Sequence, residues 1–161
     1  MNKRILLWLN VFFACGHFTG HLFDTLVIVP NWKEGSVEVI TNFRAFFTNA
    51  DPGAYFAIFV MAPTLFAILS FLFYYKTHRD IKITLGLGLA ITLISTASTF
   101  LYFFPINNYL FWGQDVILEP AKTKELVENW VFAERIRLII GLAALLAAAR
   151  ALHLSYVKVN T

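Results

Sequence analysis

Cysteine is almost absent from this chain, and so are the short motifs of the common soluble enzymes. The only cysteine is Cys15, so an intrachain disulfide cannot form. The quinone-coupled disulfide oxidoreductases, which are small four-helix membrane proteins with cysteine pairs, are therefore excluded. We interpret Cys15 as a small apolar residue in a helix interface. A glycine-rich phosphate loop, a serine nucleophile elbow and a cysteine zinc pattern are also missing, so these chemistries find no support.

Charge is also scarce, and long hydrophobic runs take its place. Charged residues make up 14% of the sequence and hydrophobic residues 58%, which is far from the surface composition of a soluble domain. Four segments reach the roughly 20 residues that a helix needs to cross a bilayer; they are 5–29, 53–75, 81–104 and 130–152. Pro30 and Pro105 are expected to close the first and third. The sequence predicts one all-α domain over residues 1–161, a bundle of four transmembrane helices in the lipid bilayer.

Lysine and arginine indicate how this bundle is oriented. Basic residues dominate the two ends and the short second loop, where Asp80 is the single acid: Lys3, Arg4, Lys76, Arg79, Lys82, Arg150 and Lys158. By the positive-inside rule both termini are cytoplasmic. The net charge of +3 is thus a topology signal, and we expect no nucleic-acid partner.

The first predicted span carries three ionisable side chains on one helical face. His17, His21 and Asp24 follow each other at spacings of four and three residues. Such groups are costly in hydrocarbon, so they favour a functional site. Gly16 and Gly20 beside them would let a neighbouring helix approach closely.

Polar residues on two other spans reach a similar depth. Glu134 and Arg137 share a face of the fourth span with Trp130, and Asn107 and Asn108 follow the third span. A polar stripe also runs along the third span: Thr92, Ser95, Thr99 and Tyr102. Together they predict a polar pocket in the outer half of the membrane. The plainer interpretation is that the hydroxyl groups bond to their own helix and that Glu134 and Arg137 form an ordinary ion pair.

Two chemistries suit this set of residues. His17 and His21, with Asp24 or Glu134, would present two imidazoles and a carboxylate to a transition metal such as iron or copper. Alternatively, a histidine beside a carboxylate is a general base, with Arg137 holding the oxyanion that forms. No organic cofactor is expected. A carrier of a lipophilic ligand or a metal ion, an accessory subunit and a proton-transfer isomerase stay open as rivals.

The two outer loops bear on access to such a pocket. Val37, Ile40, Phe43 and Phe47 follow one helical face, which predicts an amphipathic helix on the membrane between the first and second spans. The aromatic residues of the segment 107–129 either roof the pocket, admitting an apolar substrate, or form an interfacial belt.

Three short motifs resemble a known family. They are "VIVP" from Val27 to Pro30, "PINNYL" from Pro105 to Leu110, and "W-x-x-x-E-R-I-R" from Trp130 to Arg137. In order and spacing the chain resembles the small four-helix membrane proteins grouped with the anthrone oxygenases.

This resemblance implies a monooxygenase that oxidises an activated aromatic carbon, as in anthrone to anthraquinone, without a bound organic cofactor. By matching position it implies that Asn107, Asn108, Trp130 and Arg137 are site residues, to which we add Tyr102 as a substrate contact. His17, His21 and Asp24 have no counterpart in the family pattern. We expect a protein of the bacterial inner membrane with a small lipophilic substrate; a homo-oligomer is left open.

Overall fold

The computed structural model describes residues 3–47, 49, 51–113 and 115–158, which form helices and loops without a strand. The ends of the predicted domain lie outside these described residues. Six α-helices follow each other along the chain. They are α1 (Lys3–Phe23), α2 (Val37–Phe46), α3 (Pro52–Tyr74), α4 (Arg79–Ser98), α5 (Phe104–Asn107) and α6 (Pro120–Val157).

Four helical segments are long and apolar enough to cross a membrane, so the predicted all-α fold with four candidate spans is confirmed. These segments are Arg4–Asn31, Pro52–Tyr74, Arg79–Trp112 and Pro120–Val157. The first ends in a 3₁₀ turn that contains Pro30. The last begins at Pro120 and contains the predicted span 130–152.

The third segment passes through Pro105, where the sequence predicted an end. A π turn over Thr99–Phe103 precedes this proline, and Pro105 lies in the first turn of α5. The π turn accommodates this proline, because it shifts the hydrogen bonding to the fifth preceding residue, as in the bond from the Phe104 N–H to the Thr99 carbonyl, so the helix continues through a residue that has no N–H. A second π turn, Asn108–Trp112, then continues the helix to Trp112.

The four long helices form a ring in which α1 and α4 lie diagonally opposite. Each of these two helices packs against both α3 and α6. Gly16 and Gly20 of α1 face the rings of Phe59 and Tyr55 on α3, and a Cβ atom at either glycine would overlap those rings. The Tyr55 hydroxyl donates to the Gly16 carbonyl oxygen at 2.6 Å. The glycines therefore allow the close helix contact that the sequence predicted.

Two apolar clusters close the ends of the bundle. The lower cluster lies at the end that holds the described termini; its buried members are Leu7, Tyr74, Ile81, Leu85, Ala151, Leu152 and Leu154. The upper cluster lies at the other end; its buried members are Val29, Trp32, Ile40, Phe103, Ile106, Leu110, Val127 and Trp130. Polar side chains of α1, α4 and α6 are buried between the two clusters.

The predicted helix between the first two spans is present as α2. Its apolar side packs against the protein: Ile40 is fully buried in the upper cluster, and Phe43 contacts Trp32 and Phe111. The Arg44 guanidinium donates to the carbonyl oxygens of Leu110 at 2.7 Å and Tyr109 at 2.5 Å. These bonds fasten α2 over the end of the third span.

Cys15 lies on the outer side of α1, and its exposure corrects the interpretation as an interface residue. The inward face of α1 passes through Ala14 and His17 instead. A residue directly after Ala14 is turned away from that face because successive helical residues are about 100° apart.

Candidate active site

One face of α1 lines the interior of the bundle. Asn10, Ala14, His17, His21 and Asp24 are all buried, at spacings of three or four residues. The next buried residue is Val29, five positions after Asp24, because a π turn over Asp24–Ile28 inserts one extra residue. The π turn thus changes which residues face inward above the polar layer.

Glu134 joins a histidine and an arginine in the centre of this layer. Its Oε1 accepts a hydrogen bond from His21 Nδ1 at 2.7 Å. Its Oε2 accepts from Arg137 Nε at 2.8 Å and from Arg137 Nη2. His21 and Glu134 are each 1% exposed. Both carboxylate oxygens therefore have charge-assisted partners, which a buried carboxylate requires.

Arg137 is held from its other side by aromatic rings. Its guanidinium carbon lies 3.5 Å from the centroid of Phe103 and 5.9 Å from that of Trp130, within cation–π range. The Trp130 indole donates to Asn107 Oδ1 at 2.7 Å. Three residues implied by the family resemblance, Asn107, Trp130 and Arg137, thus form one connected group above Glu134.

His21 has one ring nitrogen without a partner. Its Nδ1 proton is used in the bond to Glu134, and its Nε2 is buried with no hydrogen bond among the described residues. The ring stacks on Phe56, with centroids 4.7 Å apart, and meets the His17 ring edge-on at 4.5 Å. In the neutral ring, Nε2 carries the free lone pair that a general base needs.

His17 is fixed by groups on two other helices. Its Nδ1 donates to the Phe59 carbonyl oxygen at 2.7 Å, and its Nε2 accepts from Ser95 Oγ at 3.3 Å. The Phe59 carbonyl is available because Pro63, four residues later in α3, has no N–H to donate. The bond to Ser95 spans the diagonal from α1 to α4.

Sequence reasoning missed the contribution of α3 to this site. Phe56 and the Phe59 carbonyl carry no signature in the sequence, since one is an ordinary apolar residue and the other a backbone group. Pro63 is the signal that could have found them, because a proline inside a predicted span marks an unpaired carbonyl one turn earlier.

The predicted metal face is not assembled in this arrangement. Among the described residues, no group of three or more histidine, cysteine, aspartate or glutamate side chains has a geometry that could hold an ion. Both nitrogens of His17 are engaged in hydrogen bonds, so this ring has no free lone pair for a metal. These residues as placed do not fit an iron or copper centre.

The remaining predicted site residues lie at different depths. Asp24 is buried near Glu134 and Arg137 and feels the charge of both. Asn108 is exposed. Tyr102 is 40% exposed, and its hydroxyl donates to the Asn129 carbonyl oxygen at 3.3 Å. Tyr102 and Asn108 are therefore at the surface of the upper end, apart from the His21–Glu134 pair.

The hydroxyl groups of the polar stripe along the third span have two different roles. Thr92 and Thr99 donate to backbone carbonyls of their own helix, those of Gly88 and Ser95, which confirms the plainer interpretation for these two residues. Ser95 is the member of the stripe that reaches a histidine.

Comparison with known proteins identifies the family of the chain. A family model described as anthrone oxygenase matches residues 53–147. Comparison with curated proteins and with solved structures returns no match. The matched region takes in Phe59, Ser95, Asn107, Glu134 and Arg137, whereas His17 and His21 come before it. Because the match covers more than half of the sequence, the chain belongs to the anthrone oxygenase family.

Proposed function

We propose that this membrane protein is an oxygenase-type oxidoreductase that acts on an activated carbon of a small lipophilic, aromatic substrate. Family membership supports the reaction class. The observation that carries the proposal is the buried His21 ring, whose Nδ1 is bonded to Glu134 and whose Nε2 has no partner among the described residues. This is the arrangement of a histidine base oriented by a carboxylate.

In the proposed reaction, His21 removes a proton from an activated CH₂ group of the substrate. The proton moves to Nε2, and the imidazolium that forms is stabilised by Glu134. The substrate carbanion reduces dioxygen and bonds to it, and His21 returns the proton to give a hydroperoxide. Loss of water leaves a carbonyl group, so CH₂ and O₂ become C=O and H₂O. Dioxygen is the oxidant, and no organic cofactor is required.

The groups above His21 would orient the substrate. Arg137, which cation–π contact with Phe103 keeps in place, is proposed to stabilise an oxyanion on the substrate ring. Asn107 uses its carbonyl oxygen for Trp130, which leaves its NH₂ group to donate to a substrate oxygen. Tyr102 and Asn108 are proposed to meet the substrate as it enters from the upper end.

The distribution of basic residues supports a proposed orientation of the bundle in a bacterial inner membrane. The basic residues cluster at the end of the bundle with the lower cluster, where Arg4 lies over the Tyr156 ring and Lys158 pairs with Asp80. We assign this end to the cytoplasm by the positive-inside rule. The candidate active site and α2 then lie in the outer half of the membrane.

Anthrone is the probe that tests this function. The full-chain protein in detergent is supplied with anthrone, and oxygen uptake and anthraquinone formation are followed together. We expect equal amounts of oxygen consumed and anthraquinone formed, and a rate that falls about 10²–10⁴-fold in His21→Gln, the usual contribution of a general base. His153→Gln, which changes an exposed histidine of α6, is the matched control and should retain the native rate.

Two results would reject the proposal. One is a native rate in His21→Gln. The other is conversion of anthrone that continues without oxygen, which would assign the site to proton-transfer isomerisation.

A further inference from the structure

Two small cavities lie along the axis of the bundle, each of about 10 Å³. We call them the His17 cavity and the Asn10 cavity, because His17 lines only the first and Asn10 only the second. Ala14, Thr92 and Ala144 line both. A space of this size holds a single small molecule.

The polar side chains around the His17 cavity already have partners. His17 is bonded at both nitrogens, to the Phe59 carbonyl and to Ser95. Thr92 donates to the Gly88 carbonyl at 2.9 Å, and Thr96 is bonded to Thr64 at 2.7 Å. With these bonds made, the walls have no hydroxyl or ring N–H left to donate, so a water here would find acceptors for its protons but no donor for its oxygen.

The remaining wall of the His17 cavity is carbon. It is formed by Ala14, Val60, Pro63, Gly141 and Ala144. A wall of carbon atoms beside polar groups without a free donor disfavours a water and favours a small apolar molecule. The occupant that this cavity favours is therefore apolar and no larger than a few atoms.

The Asn10 cavity has the opposite character. The Asn10 side chain is 6% exposed and lines this cavity. Its amide offers two donors and an acceptor at the cavity wall. This cavity suits a water molecule, so the two neighbouring spaces differ in what they would hold.

We propose that the His17 cavity is a docking site for dioxygen. This inference rests on the proposed function, in which dioxygen is the co-substrate. Dioxygen is an apolar diatomic molecule that partitions into hydrocarbon, and the cavity lies within the part of the bundle that hydrocarbon would surround. The ring of His17 stands between the cavity and His21, with the two ring centroids 4.5 Å apart. Dioxygen held in this cavity would be separated from His21, the proposed base, by the His17 ring.

The paramagnetism of dioxygen allows a test that needs no turnover. The full-chain protein in detergent micelles carries ¹³C-labelled valine methyl groups, and methyl relaxation is measured with and without oxygen pressure. Val60 lines the His17 cavity, whereas Val127 is buried in the upper cluster and lines neither cavity. We expect dioxygen to enhance relaxation more at Val60 than at Val127.

Gly141→Ala is the variant that fills the cavity. A Cβ atom at this position would lie 3.7 Å from His17 Cδ2, an ordinary contact, and alanine favours the helix. We expect the excess relaxation at Val60 to be lost and the KM for dioxygen to rise about tenfold, the lower range for one methyl-sized change in an apolar pocket. Gly86→Ala, the same substitution in α4 away from both cavities, should leave the excess at Val60 unchanged.

Equal enhancement at Val60 and Val127 in the native protein would overturn the docking site, and so would an excess that survives in Gly141→Ala. The relaxation result is independent of the proposed reaction. If the protein shows the excess relaxation at Val60 but does not oxidise anthrone, the docking site is supported and the proposed function is rejected. If the protein oxidises anthrone but shows no excess relaxation at Val60, only the docking site is rejected.

Discussion

Glu134 is the residue on which the polar layer depends. A carboxylate buried within a membrane bundle is costly unless its oxygens are fully paired. Here His21 occupies one oxygen and Arg137 the other. The same carboxylate neutralises the arginine and orients the imidazole, so stability and the proposed chemistry depend on one side chain.

Removing the arginine should leave this carboxylate without its ionic partner. We predict that Arg137→Met lowers the free energy of unfolding by about 3–5 kcal/mol, the usual cost of breaking a buried pair. The measurement is equilibrium unfolding of the detergent-solubilised protein. Arg135→Met is the matched control, because Arg135 is exposed on the same helix and should change the stability little.

The double variant Glu134→Gln/Arg137→Met separates lost charge pairing from lost packing. With both charges gone, most of the stability should return, since a neutral amide can still accept from His21. A double variant as unstable as Arg137→Met would contradict the ion-pair explanation and assign the loss to the contact of Arg137 with Phe103.

At the scale of the element, irregular turns position the site. Pro63 interrupts the hydrogen bonding of α3, and its consequence is that His17 has a carbonyl acceptor on a neighbouring helix. The π turn at Thr99–Phe103 ends with Phe103, whose ring lies over Arg137. Such interruptions of regular helices are frequent at functional sites.

Pro63→Ala should weaken the hold of α3 on His17. The new N–H at position 63 competes for the Phe59 carbonyl, so we predict that the fraction of His17 rings protonated at Nδ1 falls. Nitrogen NMR of labelled histidine measures this fraction directly. Pro52→Ala is the matched control: Pro52 is in the first turn of α3, where no intrahelical bond is gained. An unchanged His17 tautomer in Pro63→Ala would contradict the assigned role of Pro63.

The sequence predicted the helical spans more accurately than the contacts between side chains of different helices. Hydrophobic length located the four spans, and the cost of burying His17, His21 and Asp24 indicated that one face of α1 points inward. The end of the third span was placed too early because the sequence does not show that a π turn before Pro105 lets the helix continue. The sequence left Asp24 and Glu134 open as the carboxylate partner of a histidine, because neighbours around the bundle are set by packing of the whole chain; the structure pairs His21 with Glu134.

At the scale of the whole molecule, the two ends of the described chain lie together. Arg4 at the start of α1 donates to the Ser155 carbonyl at 3.3 Å near the end of α6. Lys158 pairs with Asp80 at the start of α4. The basic residues that sequence reasoning assigned to the cytoplasm are thus at one end of the bundle, opposite α2.

This arrangement makes an orientation test decisive. We predict that a fluorescent protein fused after Thr161 is bright in a bacterial host, because it folds in the cytoplasm, and that a periplasmic phosphatase fused there is inactive. The same pair of reporters inserted in the loop between α2 and α3 should give the reverse result. A bright fluorescent protein at both positions would contradict four spans in this order.

The most direct test of His21 as the base omits dioxygen altogether. Under argon in heavy water, a base that removes the activated proton of anthrone should speed exchange of that hydrogen for deuterium, even though oxidation cannot follow. We predict that the native protein accelerates this exchange above the buffer rate, that His153→Gln does the same, and that His21→Gln does not. Exchange as fast in His21→Gln as in the native protein would contradict this role of His21.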